Sequence, residues 1–240
     1  VLEKSPLETR EPVCSIFPAC GGCMYQTMAY EDQLHMKEEQ VRSLLDGAVN
    51  EWKKNSGKDL PSYKWEGIHG SPIEFRYRNK MEYTFSAKKW LTYDQIRSRE
   101  VPDDMTAAGF HIPGAFDKVL DIDCCHLQDD FGNELRLFVK QFARDNGMSF
   151  YDIRNQEGLL RTLMIRIAST GEVMAVVVFG RDERENIYRL LDAVRERFPR
   201  ITSLLYVINT KVNDTIGDQE VLLHSGREYI EEAMGDLRFH

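Results

Sequence analysis

The feature that most constrains this chain is a short loop with three cysteines, Cys14-Ser-Ile-Phe-Pro-Ala-Cys20-Gly-Gly-Cys23. Two more cysteines, Cys124 and Cys125, are adjacent far along the chain. The first ten residues contain no apolar segment of the secretory type, so we expect a cytoplasmic protein. Spaced cysteines in that reducing compartment are more often metal or cluster ligands than disulfides. The loop therefore predicts an inorganic site.

Three other interpretations of the loop compete with an iron–sulfur cluster. A structural zinc site normally uses two short Cys-x2-Cys pairs, and only Cys20 and Cys23 have that spacing. Radical enzymes that use S-adenosylmethionine hold their cluster on Cys-x3-Cys-x2-Cys, whereas the first gap here is five residues. Unconnected cysteines would leave the double glycine between two of them unexplained. A cluster with four thiolates would take its fourth ligand from Cys124 or Cys125.

Composition limits the kinds of partner that the whole chain can bind. Of the 240 residues, 42% are hydrophobic and 29% are charged, the balance of a soluble globular protein. No apolar run is long enough to span a bilayer, so we expect no membrane association. The formal net charge is −8, whereas proteins that bind nucleic acid by themselves are usually basic. Any RNA contact must therefore come from a local patch.

One local patch of this kind lies between Arg76 and Arg99. Seven basic residues in this stretch face only two acidic ones, Glu82 and Asp94. The aromatic residues interleaved with them are Tyr77, Tyr83 and Trp90. Basic strands with aromatic side chains bind single-stranded nucleic acid by phosphate contact and base stacking. A solvated hairpin with alternating polar residues would give the same pattern, and the residues alone leave both interpretations open.

The spacing of apolar residues changes repeatedly along the chain, which is typical of an α+β fold. A helix is predicted from an N-cap at Thr27 to Gly47, followed by a polar connection over residues 51–62. Alternating strands over residues 159–168 and 173–179 flank a turn and predict a hairpin. Two later helices are predicted from the apolar positions Phe131, Leu135, Phe138 and Phe142, and Ile187, Leu190, Leu191, Val194 and Phe198. We predict a mostly antiparallel sheet with packed helices and an N-terminal cysteine-rich cluster loop.

The cysteine loop resembles the iron–sulfur loop of the bacterial RNA (uracil-5-)-methyltransferases, of the type that forms 5-methyluridine in 23S ribosomal RNA. The residues after it match the helix of that family at Gln26, Tyr30, Gln33, Leu34 and Lys37. Further matches are Tyr77-Arg78-Asn79-Lys80-Met81-Glu82, Gly109-Phe110-His111, Asp121-Ile122-Asp123-Cys124-Cys125, Leu160-Arg161-Thr162-Leu163 and Asn209-Thr210-Lys211-Val212-Asn213-Asp214. The resemblance covers nearly the whole chain.

The resemblance implies a set of site residues. It implies a 4Fe–4S cluster whose ligands are Cys14, Cys20, Cys23 and Cys125. The family has its last cysteine four residues after the aspartate, which selects Cys125, and the adjacent Cys124 departs from the family pattern. It also implies RNA contacts on the arginine-rich strand, by Arg76, Arg78 and Lys80.

The resemblance also implies a domain organisation. Residues 1–13 would be a linker from an N-terminal RNA-binding barrel, residues 14–50 the iron–sulfur loop and helix, and residues 63–240 a central α+β RNA-binding domain. The S-adenosylmethionine-binding catalytic domain is expected to be absent. No catalytic residue can be assigned, because no cysteine has the setting of the family's nucleophile.

The function implied is the cluster-binding, RNA-contacting part of an RNA methyltransferase that depends on S-adenosylmethionine. Ribosomal RNA is expected as the substrate rather than transfer RNA. The chain is expected to be monomeric and, by itself, inactive. The alternative from another class is a stand-alone iron–sulfur module for electron transfer or redox sensing.

Overall fold

A computed structural model describes residues 3–60, 63–91, 93–98 and 102–240 of the chain. The chain forms two compact units. The smaller unit consists of Val1–Phe17 and Cys23–Glu74, and the larger one of Pro18–Gly22 and Phe75–His240. Within the described residues, no helix is both long and apolar enough to cross a bilayer.

The smaller unit is built on one long helix, α1 (Tyr30–Ser56). It begins after Ala29, and the predicted N-cap Thr27 instead donates a hydrogen bond from Oγ1 to Glu8 Oε2 at 3.1 Å. The predicted end at Gly47 is wrong, because the helix continues to Gly57, whose φ of 67° is left-handed. Left-handed backbone suits glycine and stops the helix there. The predicted polar connection after residue 50 is therefore partly helical.

The chain after α1 returns along the helix and is held to it by polar side chains. Tyr63 Oη donates to Asp46 Oδ1 at 2.7 Å, and Trp65 Nε1 donates to Glu38 Oε1 at 2.6 Å. Further along, the Ser71 N–H donates to Tyr30 Oη at 2.7 Å. No residue of α1 is fully buried, so polar contacts hold this unit together more than a packed core does.

The larger unit contains nine strands and three helices in its described part, and they alternate along the chain. The strands are β1 (Lys80–Ser86), β2 (Ala107–Ile112), β3 (Ala115–Asp121), β4 (Leu160–Ile167), β5 (Val173–Phe179), β6 (Ile201–Ile208), β7 (Val221–Gly226), β8 (Glu232–Met234) and β9 (Leu237–Phe239). The helices are α2 (Tyr93–Ser98), α3 (Asp130–Asp145) and α4 (Arg184–Arg197).

Seven of these strands form one sheet in the order β3-β2-β1-β4-β5-β6-β7, and β8 pairs with β9. Every neighbouring pair in the large sheet is antiparallel except β5 and β6, which are parallel and connected through α4. The predicted hairpin of β4 and β5 is confirmed, and its turn closes with a 2.9 Å hydrogen bond from the Gly171 N–H to the Ala168 oxygen. The predicted α+β class with a mainly antiparallel sheet is thereby confirmed.

One face of the sheet is covered by α3 and α4. A row of paired side chains crosses it on adjacent strands, Tyr83, Leu163, Val177 and Tyr206. The Arg136 guanidinium of α3 lies 5.2 Å from the centre of the Tyr83 ring, and Tyr188 of α4 lies 6.1 Å from Tyr206. Both helices therefore pack on this face, where most of the core lies.

The apolar stripe of α3 differs from the predicted one by a small rotation. Leu135, Val139 and Ala143 are fully buried, while the predicted core residues Phe131 and Phe138 are only half-buried. Both of these phenylalanine rings lie edge-on to Phe198, at 5.5 and 5.3 Å between ring centroids. The aromatic residues thus connect α3 to the end of α4 and are not its contact with the sheet.

Candidate nucleic-acid interface

The arginine-rich segment, residues 76–80, leads into β1. Its backbone is hydrogen-bonded to the two residues that follow Cys125. The Arg76 N–H donates to the His126 oxygen and the Arg78 N–H to the Leu127 oxygen, both at 2.9 Å. Arg76 also has a φ of 58°, which side chains larger than glycine rarely adopt. Because backbone bonds hold this conformation, the arginine side chains project from a fixed frame. The arginine-rich strand that the resemblance implied begins only at Lys80, so Arg76 and Arg78 precede it.

The three cations predicted to contact RNA are all at the surface. Arg76 Nη2 lies 2.6 Å from Asp130 Oδ2, and Lys80 Nζ lies 3.7 Å from Glu82 Oε2. Among the described residues, no carboxylate is in ion-pairing range of Arg78. Such exposed pairs contribute little to stability, because water screens them. All three side chains are therefore accessible to an anionic ligand.

Two other basic residues of the predicted patch have structural partners instead. Lys88 Nζ lies 2.9 Å from Asp152 Oδ2, and Lys89 Nζ lies 3.0 Å from Asp121 Oδ2. Burial raises the pKa of Asp121, but hydrogen bonds from Lys140, the Ala108 N–H and Lys89 outweigh it and lower that pKa below its usual value. These lysines neutralise partly buried carboxylates, so the patch available to a ligand is smaller than the sequence suggested. Arg97 is exposed on α2, and Arg99 lies outside the described residues.

The aromatic residues of the predicted patch also separate into different environments. Tyr77 is 53% exposed and can stack against a base, whereas Tyr83 is completely buried. The Tyr83 hydroxyl donates to Gln128 Oε1 at 3.0 Å, and burial raises its pKa well above the usual range. Trp90 is half-buried. The interpretation of Tyr83 as a stacking platform is wrong, because strand alternation turns it into the core.

The predicted cluster ligands lie in irregular segments and are all half-buried. In the smaller unit, the Cys14 N–H donates to Gln26 Oε1 at 3.0 Å, which joins two parts of the matched family pattern. In the larger unit, a Cβ on Gly21, whose φ is 68°, would lie 2.4 Å from Pro113 Cγ. Glycine is therefore required at position 21, the first of the two adjacent glycines in the loop, because the backbone is left-handed there and Pro113 packs closely against it.

Asn133 of α3 holds the adjacent cysteines in place. Its Oδ1 accepts a hydrogen bond from the Cys125 N–H at 2.8 Å, and its Nδ2 donates to the Cys125 oxygen at 3.1 Å. The same Nδ2 lies 3.5 Å from Cys124 Sγ, and His126 Nδ1 lies 4.0 Å from that sulfur. Sequence reasoning did not identify Asn133, which is buried on the face of α3 that meets this segment.

The four predicted ligands are divided between the two units, with Cys14 and Cys23 in the smaller and Cys20 and Cys125 in the larger. Throughout the described part of the chain, no group of three or more His, Cys, Asp or Glu side chains has the arrangement that would hold a metal ion. The thiols are the right chemical type for iron. The 4Fe–4S site stays a prediction from the sequence.

Comparison with known proteins identifies the relatives of the chain. No family model matches it. It is 51% identical over 242 residues to a protein of Porphyromonas gingivalis and 44% identical over 241 residues to one of Bacteroides thetaiotaomicron, each named an uncharacterized RNA methyltransferase. These alignments cover 98% and 99% of this chain but 50% and 51% of the relatives. A relative from Chlorobaculum tepidum with the same description is 33% identical over all of this chain and 48% of its own.

A solved structure has the same fold. The tRNA (uracil-54, C5)-methyltransferase of Pyrococcus abyssi, in complex with S-adenosyl-L-homocysteine, superposes with a TM-score of 0.60. The match covers 99% of this chain and 46% of that protein, at 22% sequence identity.

The relatives carry the name RNA methyltransferase, and the fold of the chain is that of a solved methyltransferase. Over nearly its whole length the chain is similar to part of these proteins named RNA methyltransferases, and it spans about half the length of the relatives it matches. Neither comparison tests the iron–sulfur branch that the cysteine loop resembles.

Proposed function

We propose that this chain is the RNA-contacting part of an S-adenosylmethionine-dependent RNA uracil-5-methyltransferase, and that its substrate is ribosomal RNA. The observation that carries the proposal is the exposed arginine-rich segment, fixed by two backbone hydrogen bonds at the start of β1. The relatives are named RNA methyltransferases, and the structural neighbour binds the demethylated product of S-adenosylmethionine. Both support the proposed reaction class.

Arg76, Arg78 and Lys80 are the proposed RNA contacts. Contacts between these cationic groups and the phosphate backbone do not depend on the base sequence. They therefore position the RNA but do not select its sequence. Tyr77 supplies an exposed ring beside them for base stacking. Because Lys88 and Lys89 are paired with carboxylates, only a few phosphates are engaged at once.

The 4Fe–4S cluster is a second part of the proposal. Cys14, Cys20, Cys23 and Cys125 would hold it, and with a protein thiolate on each iron its role would be structural. Support comes from the loop spacing and from the family resemblance. Counts of iron and acid-labile sulfide in protein purified without oxygen test this part directly.

RNA binding is tested by titrating a labelled ribosomal RNA stem-loop with the chain at several salt concentrations. We expect a dissociation constant of about 1 μM or weaker near physiological salt, because few phosphates are neutralised. The double variant Arg78→Glu with Lys80→Glu should weaken binding at least tenfold and flatten its salt dependence. Lys88→Glu is a poor control because Lys88 pairs with the mostly buried Asp152. Arg195→Glu on α4 is the matched control, since the pair of Arg195 with Asp192 is exposed.

The same samples test the expected lack of activity. With labelled S-adenosylmethionine, we expect no transfer of the methyl group to ribosomal or transfer RNA by this chain. Incorporation above background would show that an active site has been missed. Nanomolar binding of RNA that the double variant leaves unchanged would show that the arginine-rich segment is not the interface. Stronger binding to a transfer RNA stem-loop would contradict the choice of ribosomal RNA.

A further inference from the structure

The face of the large sheet opposite the helices carries a pair of cations, Lys80, which the sequence assigned to RNA contact, and Arg166, which it did not. Strand pairing places Lys80 of β1 directly opposite Arg166 of β4. Side chains directly opposite on adjacent strands have Cβ atoms about 4.5–5.5 Å apart. Both residues are exposed, on the side of the sheet opposite Tyr83 and the two packed helices. Two cationic head groups therefore share one small area of the surface.

Like charges in this position destabilise a sheet, so the pair needs an explanation. The nearest counter-charge is Glu82, whose Oε2 lies 3.7 Å from Lys80 Nζ. Within the described residues, Arg166 has no carboxylate in ion-pairing range. Glu232, near the end of β4, instead accepts hydrogen bonds from the Ser169 N–H at 3.0 and 3.2 Å. The structure leaves a positive charge on Arg166 that no carboxylate among the described residues neutralises.

The rest of this face limits where a ligand can lie. Further along the same row, Met174 of β5 pairs with Arg166 and is half-buried. The neighbouring apolar cluster of Val176, Val178, Leu205 and Val207 is covered in part by Ile216. The accessible area is thus the end of β1 and β4 at Lys80 and Arg166, where Lys80 is continuous in sequence with the arginine-rich segment.

We propose that Lys80 and Arg166 together bind one phosphate group of the RNA backbone. This inference rests on the proposed function and extends it from β1 to β4. A backbone phosphate carries one negative charge, which offsets the charge on Arg166, while Glu82 already balances part of the charge on Lys80. The planar guanidinium can donate two parallel hydrogen bonds to the phosphate oxygens. The pair fixes the backbone of the RNA at a defined register across two strands, which the arginine-rich segment alone cannot do.

The test uses Arg166→Gln in the 240-residue chain, with the same labelled stem-loop. We expect binding about fivefold weaker near 0.1 M salt, and a slope of log affinity against log salt that is smaller by about 1. The melting temperature should stay the same or rise, since the substitution relieves a like-charge contact. Arg195→Gln on α4, where Arg195 pairs with Asp192 at 2.9 Å, is the matched control and should leave affinity unchanged.

A double-mutant cycle with Lys80→Gln tests whether the two cations share a phosphate. If they do, the double variant should bind RNA little worse than the weaker-binding of the two single variants. Losses of binding free energy that simply add would overturn the shared site. If Arg166→Gln binds as the unmodified chain does while Arg78→Glu weakens binding, the inference fails and the proposed function stands. If the unmodified chain binds no RNA, both fail. Displacement of RNA by polyglutamate at equal charge concentration would identify an acidic protein as the ligand instead.

Discussion

At the scale of single residues, the same amino acid serves different purposes on one strand. Arg161 and Arg166 both lie on β4, and the alternation of a strand predicts that they point in opposite directions. Arg161 is 2% exposed, whereas Arg166 is at the surface. The buried guanidinium donates hydrogen bonds to the carbonyl oxygens of Asn209, Lys211, Val212 and Asn213, at 2.7–3.2 Å. Arg161 therefore organises the loop after β6.

Replacing Arg161 tests this structural role. In Arg161→Met, the four carbonyl oxygens lose their hydrogen-bond donor. Asp214 also loses its ion-pair partner, since its Oδ1 lies 2.6 Å from Arg161 Nη2. We expect the free energy of unfolding to fall by about 2–4 kcal/mol, as for other buried charged groups that are removed. Chemical denaturation measures the change, with Arg166→Met as the matched control on the same strand. A loss below about 1 kcal/mol for Arg161→Met would mean that the loop is held by other contacts.

At the scale of elements, glycine positions show what a helix tolerates. Gly47 lies within α1 and an added Cβ would meet no atom within 4 Å, whereas Gly57 has a φ of 67° and ends the helix. A glycine inside a helix costs about 1 kcal/mol relative to alanine, but it does not force the helix to stop. The prediction of an end at Gly47 was wrong for this reason, since Glu51, Lys53 and Lys54 beyond it favour helix.

Two alanine substitutions, one within α1 and one directly after it, should have opposite effects on the stability of the helix. Gly47→Ala should stabilise the helix by about 1 kcal/mol, because alanine restricts the unfolded chain and fits the helical backbone. Gly57→Ala should destabilise the end of the helix by about 1 kcal/mol, because alanine disfavours a left-handed backbone. Hydrogen exchange of the α1 amides measures both changes. Equal effects of the two substitutions would contradict the assigned helix end.

At the scale of the whole molecule, the predicted cluster would link distant parts of the chain. Joining Cys20 to Cys125, which both belong to the larger unit, closes a long loop, and closing long loops in the unfolded chain favours the folded state. Cys20→Ala should therefore lower the melting temperature and solubility of protein purified without oxygen. An unchanged melting temperature in iron-loaded protein would contradict a structural role.

The two adjacent cysteines provide a matched pair for the same experiment. We expect Cys125→Ala to lose iron and sulfide, and Cys124→Ala to keep them, because the family position selects Cys125. The side chain of Cys124 lies near Asn133 and His126, and its replacement removes these two contacts. Iron bound equally well by Cys125→Ala, or absent from the unmodified protein, would contradict the ligand assignment.

The fold class, the β4–β5 hairpin and the likeness to RNA methyltransferases all follow from the sequence alone. These depend on local signals, since residue spacing, turn residues and short motifs are read from neighbouring positions. Only the tertiary structure decided which members of the basic patch are available to a ligand. Lys88 and Lys89 are paired with Asp152 and Asp121, 64 and 32 residues away in sequence. Partners this distant are chosen by strand pairing and helix packing, so no local pattern could show that these two lysines are neutralised while Arg166 is not.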